Sequence, residues 1–122
     1  SCSLVGSEMC IRDRKGIIDI DLNAGNVLYQ LQADGHYTFS LIDINRMRFY
    51  SGYPPMKECV ENLTRFTGRM DVFECVAREY VKLRGMDEKI LQKIIGAKKI
   101  HDWRWVHRKS ILHYFKRKKL GL

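Results

Sequence analysis

The sequence predicts an α+β fold that is mainly helical and contains one small β-hairpin. Two observations support this class. Short runs of β-branched and apolar residues flank the pair Asp34-Gly35, where glycine supplies the positive φ that a hairpin turn needs. After Pro54 and Pro55, which stop any strand, apolar residues recur at the three- and four-residue spacing of amphipathic helices. We therefore expect a hairpin in the first half of the chain and about four helices in the second.

Three segments are predicted to form strands. The first is "GIID", residues 16–19, and it is separated by a loop from the hairpin strands Val27–Leu31 and 37–42. The hairpin strands are expected to pair antiparallel across the turn at Asp34-Gly35. The predicted order is thus a strand, a loop, a hairpin and an all-helical remainder.

The predicted helices span residues 56–67, 70–83, 87–95 and about 98–118. Gly68 and Gly85 are predicted to end the first two, and Asp87 is predicted to cap the third. Trp103 and Trp105 fall on different faces of the fourth, so we expect at least one of them in the core. The apolar residues expected to face the core are Val60, Leu63, Phe66, Phe73, Val76, Ala77, Tyr80 and Val81.

The first fourteen residues are expected to lie outside the folded domain. They show no helical or strand period and lack the basic and apolar regions of a signal peptide. Residues 4–13, "LVGSEMCIRD", resemble the translation of a transposon adapter used to prepare sequencing libraries. We predict a non-native or disordered leader over residues 1–14, the alternative being a natural disordered start, and a single domain over residues 15–122.

Composition and cysteine usage indicate a globular cytoplasmic protein. The 122 residues are 45% hydrophobic and 30% charged, and no apolar run approaches the ~20 residues that span a bilayer. Cys59 and Cys75 lie at no metal-ligand spacing and fall among apolar residues, so we expect both to be buried reduced thiols.

The net charge of +8 resides at the C-terminal end. Residues 98–122 contain nine basic side chains against Asp102 alone, and the densest cluster is Lys116, Arg117, Lys118 and Lys119. This cluster could be a solvated face, a site for anionic lipid or lipopolysaccharide phosphates, or a nucleic-acid surface, which is the least favoured of the three.

Three oxygen-bearing side chains are predicted to converge at one end of the small sheet. Asp21 and Asn26 lie on the loop between the first strand and the hairpin, and Asp43 follows the second hairpin strand. One carboxylate that orients an acceptor hydroxyl, with an Asn and a second Asp holding Mg²⁺, suits phosphoryl transfer. The alternative is that all three are turn and cap residues.

The order D-L-x-x-x-N, a hairpin and a further Asp resembles the catalytic and metal-binding loops of the protein-kinase-like fold. The stretches "DLNAGNVLY" and "FSLIDINRMRF" are most similar to lipopolysaccharide kinases of the Kdo/heptose kinase family. Similarity continues through "ECVENLTRFTG", "YVKLRGMD" and "KRKKLGL", and so covers nearly all of residues 15–122.

The resemblance implies the C-terminal lobe of a kinase that uses ATP and Mg²⁺ to phosphorylate a sugar hydroxyl of the lipopolysaccharide core or a lipid A precursor. Asp21 would be the catalytic base, and Asn26 and Asp43 would bind Mg²⁺ and the nucleotide. The glycine-rich turn and phosphate-pairing Lys of the N-terminal lobe have no counterpart in residues 15–122, so the chain alone is expected to be inactive. The implied location is the cytoplasm, with peripheral contact at the inner membrane through residues 116–119.

The chain departs from the family pattern at two places. Asp19 stands where a His usually precedes the catalytic Asp by two residues, and Ile44-Asn45 replaces the Phe-Gly that follows the metal-binding Asp in protein kinases. Two other functional classes stay open: a small-molecule phosphotransferase similar to aminoglycoside or choline kinases, and a non-catalytic basic module that binds membranes or nucleic acid.

Overall fold

The computed structural model describes residues 2–20, 22–23, 27–41 and 46–121, and it confirms a mainly helical α+β fold. In chain order its elements are α1 (Cys2–Arg14), β1 (Ile17–Asp19), β2 (Val27–Leu31), β3 (Tyr37–Leu41), β4 (Met47–Phe49), α2 (Met56–Thr64), α3 (Met70–Leu83) and α4 (Glu88–Lys119).

The predicted hairpin is confirmed. β2 and β3 pair antiparallel, with Val27 opposite Leu41 and Leu31 opposite Tyr37. Gly35 has a φ of 87°, the left-handed conformation expected at this turn. Residue 42, which was predicted to end the second strand, lies outside the described residues.

A fourth strand, β4, was not predicted. It pairs antiparallel with β1, with Ile17 opposite Phe49 and Asp19 opposite Met47. Three residues are too few to show an alternating pattern, so the strand is recognisable only through its partner. The prediction that the chain beyond the hairpin is all helical is therefore wrong. Because β4 pairs with β1, the chain that follows the hairpin lies beside the strand that precedes Asp21.

The segment expected to be a disordered leader instead forms α1 and packs against α3. Val5, Met9 and Asp13, at four-residue spacing, are all buried. A Cβ added at Gly6 would lie 2.9 Å from the Cβ of Glu79, which shows how closely the two helices approach. Sequence analysis did not identify this buried face of α1 because it includes a glycine and an aspartate. The adapter origin of these residues stays a prediction.

A buried polar cluster joins α1 to α3. The Tyr80 hydroxyl donates a hydrogen bond to the Asp13 carboxylate, and Arg84 Nη1 lies 2.8 Å from the Tyr80 oxygen and 3.4 Å from Asp13 Oδ2. The Arg84 guanidinium also lies 4.4 Å from the centroid of the Tyr53 ring. Burial raises the pKa of Asp13, although Tyr80 and Arg84 act in the opposite direction.

α3 matches its predicted bounds, whereas α2 is shorter than predicted. Gly85 has a φ of 65°, and the Met86 and Gly85 amides donate to the carbonyls of Val81 and Lys82 at 2.9 and 3.2 Å. This is the Schellman arrangement, so the predicted cap is confirmed. α2 ends at Thr64 rather than residue 67, and Gly68 has no positive φ, so the cap predicted there is wrong.

The third and fourth predicted helices are one continuous helix, α4. Asp87 caps it as predicted, accepting from the Ile90 amide at 3.1 Å. The expected break before Lys98 is absent because Ile94, Ile95 and Lys98 pack into the protein on either side of Gly96. Trp103 and Trp105 are both exposed, so the expectation that one of them lies in the core is wrong.

The core lies between α1, α2, α3 and the first half of α4. All the apolar residues predicted for α2 and α3 contribute to it, with Val60 at its margin. Its fully buried centre consists of Val5, Leu63, Phe73, Val76, Ala77, Tyr80 and Ile94.

Candidate functional site

The three residues predicted to carry catalysis, Asp21, Asn26 and Asp43, lie outside the described residues. The residues that flank them are described. Asp21 follows Ile20, Asn26 precedes Val27, and Asp43 stands two residues after Leu41. We call these described flanking residues the borders of the site.

Two strand pairs hold these borders. The Ile20 amide donates to the Arg46 carbonyl at 3.1 Å, which extends the β1–β4 ladder to the residue just before position 21. Val27 lies opposite Leu41 at the open end of the hairpin. The segment that precedes Asp21 is thus paired, next to β4, with the segment that follows Asp43. The segment that follows Asn26 is paired with the one that precedes Asp43.

Asp19, two residues before Asp21, is completely buried at the end of β1. Its carbonyl accepts from Asn62 Nδ2 at 2.6 Å, and the Asn62 Oδ1 accepts from Arg12. Burial lowers the pKa of Arg12, while the negative charges of Asp13 and Asp19 act against that shift. The cation of Arg12 therefore offsets the carboxylate charge placed beside the predicted catalytic position.

Sequence analysis missed Arg12, Asn62 and Arg65, which fix the chain before position 21. Arg65 Nη1 donates to the Ile20 carbonyl at 2.6 Å. The one sequence signal was Asn62, a polar residue between the apolar residues Cys59 and Leu63 of the buried face of α2.

A groove of about 430 Å³ opens beside this chain segment. Leu22 and Asn23 line it on one side, and α4 lines it on the other. Its lining includes basic and aromatic side chains, Arg65, His101, Trp105 and Arg108, beside the smaller residues Thr67 and Gly68. Such a lining suits an anionic ligand that carries a ring.

Lys98 lies at the buried side of the groove, with 1% of its surface exposed. Its Nζ donates to the carbonyls of Thr64, at 2.9 Å, and Thr67, and it pairs with Asp102 Oδ1 at 2.8 Å. Burial raises the pKa of Asp102, but hydrogen bonds from Lys98 and His101 outweigh it and hold that pKa below its ordinary value. Because its donors are used in this way, Lys98 supports the wall of the groove.

Two further sequence predictions have outcomes here. Cys59 is a buried free thiol as predicted. Cys10, for which no prediction was made, is also a buried free thiol, and burial raises the pKa of each to about 11. Cys75 is exposed and disulfide-bonded, so its prediction as a buried reduced thiol is wrong. Arg48, beside the site, pairs with Glu58 at 2.7 Å.

Over the described ranges, which exclude positions 21 and 43, no three His, Cys, Asp or Glu side chains form a metal-binding group. Among the described helices, including the long α4, none combines the length and apolar character needed to cross a membrane. Comparison with known proteins found no matching family, no curated relative and no similar solved structure.

Proposed function

We propose that this chain is the catalytic-loop half of a kinase that transfers phosphate from ATP to a sugar hydroxyl of a lipopolysaccharide core or lipid A precursor. Asp21 orients and deprotonates the acceptor hydroxyl, and Asn26 and Asp43 bind the Mg²⁺ that bridges the nucleotide phosphates. The kinase-like C-terminal lobe is part of this proposal.

The pairing of the site's borders is the observation that carries the proposal. The Ile20–Arg46 hydrogen bond and the Val27–Leu41 pairing join described segments that precede or follow Asp21, Asn26 and Asp43 in the sequence. Three isolated turn residues would not need these segments to meet. A phosphoryl-transfer site would, because its base and its metal ligands must lie within a few ångströms of one phosphate.

The groove favours an anionic acceptor over the cationic acceptors of aminoglycoside and choline kinases. The guanidinium groups of Arg65 and Arg108 line it, and the carboxylate of Asp102 is occupied by Lys98. A cationic acceptor would meet charges of its own sign there. Phosphate and carboxylate groups on a core sugar would instead match the guanidinium groups.

Paramagnetic broadening by Mn²⁺–ATP tests the metal site in the chain as it stands, because Mn²⁺ accepts the same hard oxygen ligands as Mg²⁺. In isotope-labelled protein we expect the amide signals of Ile20 and Arg46 to broaden at Mn²⁺ concentrations that leave Gly35, at the far end of the hairpin, sharp. Asp43→Asn should abolish this difference.

Asp34→Asn is the matched control, since it removes an exposed carboxylate at the opposite end of the same hairpin. It should leave the broadening at Ile20 unchanged. Broadening centred on the turn in the wild-type protein, or equal loss in Asp34→Asn and Asp43→Asn, would contradict a metal site at the open end.

The roles of the two aspartates separate in a kinase that joins this chain to a nucleotide-binding lobe. Asp21→Asn should lower the rate of sugar phosphorylation by about 10²–10⁴ while ATP binding survives, because it removes a general base. Asp43→Asn should weaken Mg²⁺-dependent ATP binding as well. Calorimetric titration of Mg²⁺–ATP beside the phosphorylation rate measures both, and small equal effects would identify turn residues instead.

A further inference from the structure

Hydrogen bonds hold the described backbone on both sides of position 21. The Asp19 carbonyl accepts from Asn62 Nδ2 at 2.6 Å and from the Leu22 amide at 3.3 Å, and the second of these bonds spans position 21. The Ile20 carbonyl accepts from Arg65 Nη1 at 2.6 Å. The Leu22 side chain belongs to the core. We call Asp19, Ile20 and Leu22 the flanking segment.

The two side chains that hold the flanking segment differ in their access to solvent. Asn62 is 5% exposed, and its Oδ1 accepts from Arg12, so this contact is enclosed by the protein. Arg65 is exposed, and it lines the groove together with Leu22. A ligand in the groove can therefore reach the Arg65 contact, whereas the Asn62 contact is closed to it.

The guanidinium group of Arg65 can join a ligand to the backbone, because its five N–H donors are fixed in one plane and the Ile20 carbonyl needs only one of them. An exposed arginine that is held by a single neutral acceptor exchanges between rotamers. An anionic group that binds another edge of the guanidinium fixes the orientation of the whole plane. Binding of an anion in the groove should therefore strengthen the Arg65–Ile20 hydrogen bond.

We propose that Arg65 is a positioning residue that links the binding of an anionic acceptor in the groove to the placement of Asp21. This inference rests on the proposed function, in which Asp21 is the base and the groove holds the acceptor. An acceptor whose phosphate or carboxylate reaches Arg65 orders the chain next to the base, whereas a neutral sugar or water does not. The link thus favours transfer to anionic sugars over transfer to neutral hydroxyls, including water.

Amide hydrogen exchange followed by nuclear magnetic resonance tests this link in the 122-residue protein. The probe is glucose 6-phosphate at saturating concentration, and glucose is its neutral control. Exchange of the Leu22 amide should slow by about five-fold or more with the phosphate and stay unchanged with glucose, since coupling between sites starts at about that factor. The Gly35 amide, which donates to the Gln32 carbonyl at 3.0 Å in the hairpin turn, reports general stabilisation and should not respond.

Arg65→Gln and Arg108→Gln are matched variants, because each removes one exposed guanidinium from the groove. Both should weaken the binding of glucose 6-phosphate. At saturating ligand, Arg108→Gln should keep the slower exchange of Leu22, because Arg65 is intact. In Arg65→Gln the ratio of the exchange rates without and with ligand should fall to nearly one. If Arg65 were merely structural, its loss would speed Leu22 exchange but leave that ratio as it is in the wild type.

The exchange experiment contains neither metal nor nucleotide, so its failure can be told apart from failure of the proposed function. The link would be overturned by absence of glucose 6-phosphate binding, by unchanged Leu22 exchange in the saturated wild-type protein, or by an equal response in the two variants. Absence of Mn²⁺–ATP broadening at Ile20 and Arg46, with the Leu22 response intact, would contradict the metal site and still support the link between the groove and the flanking segment.

Discussion

Replacement of Lys98 by Met tests how the groove is supported. Methionine keeps the length and apolar stem of the side chain but removes the ammonium that holds Thr64, Thr67 and Asp102. Two backbone carbonyls then lose their donor, at about 1 kcal/mol each, and a partly exposed carboxylate loses its partner, at up to about 1 kcal/mol. We expect the free energy of unfolding to fall by about 3 kcal/mol.

Denaturant unfolding followed by far-ultraviolet circular dichroism measures this loss. In thermal unfolding, a loss of this size corresponds to a Tm lower by roughly 10 °C. Lys99→Met is the control, since Lys99 is the next residue of the same helix and is exposed. It should change stability by less than about 0.5 kcal/mol. If Lys98→Met were as stable as the wild type, the cost of burying the ammonium would equal what its contacts return, and the argument would fail.

The same contact predicts a pH dependence. The pKa of Asp102 is lower in the folded protein than its ordinary value of 3.8. Its pairing with Lys98 therefore stabilises the fold above that value and is lost as pH falls through the lower folded pKa. In Lys98→Met the loss of stability from this carboxylate below pH 3.8 should be reduced, which denaturant titrations at several acidic pH values would show.

Two further predictions concern the helices and the thiols. Gly96→Ala should stabilise the protein by roughly 0.5–1 kcal/mol, because the glycine is inside α4 and a Cβ there meets no atom within 4 Å, whereas Gly85→Ala should destabilise it by about 1 kcal/mol because φ there is +65°. Thermal unfolding compares the two, and the same sign for both would refute the conformational argument. Cys10 and Cys59, with pKa values of about 11, should resist iodoacetamide at pH 8 in the folded protein and react in urea; mass spectrometry locates the label, and rapid folded-state labelling would contradict their burial.

Local sequence signals determined the hairpin and the central helices. Asp34-Gly35 predicts its own turn, because a positive φ is a local property of the backbone. The apolar spacing of α3 and its Gly85 cap predict both its bounds and its buried face. The resemblance to kinases also comes from the sequence alone, through the order of Asp21, Asn26 and Asp43.

Only the tertiary structure decided the elements that depend on distant partners. β4 exists because β1 pairs with it, and α1 is a core helix because α3 accepts Gly6 and Asp13 at close range. The continuity of α4 likewise follows from packing around Gly96, which outweighs a helix propensity about 1 kcal/mol poorer than that of alanine. A sequence pattern records which residues could be buried, but the surface that buries them belongs to another part of the chain, and so these elements could not be read from their own residues.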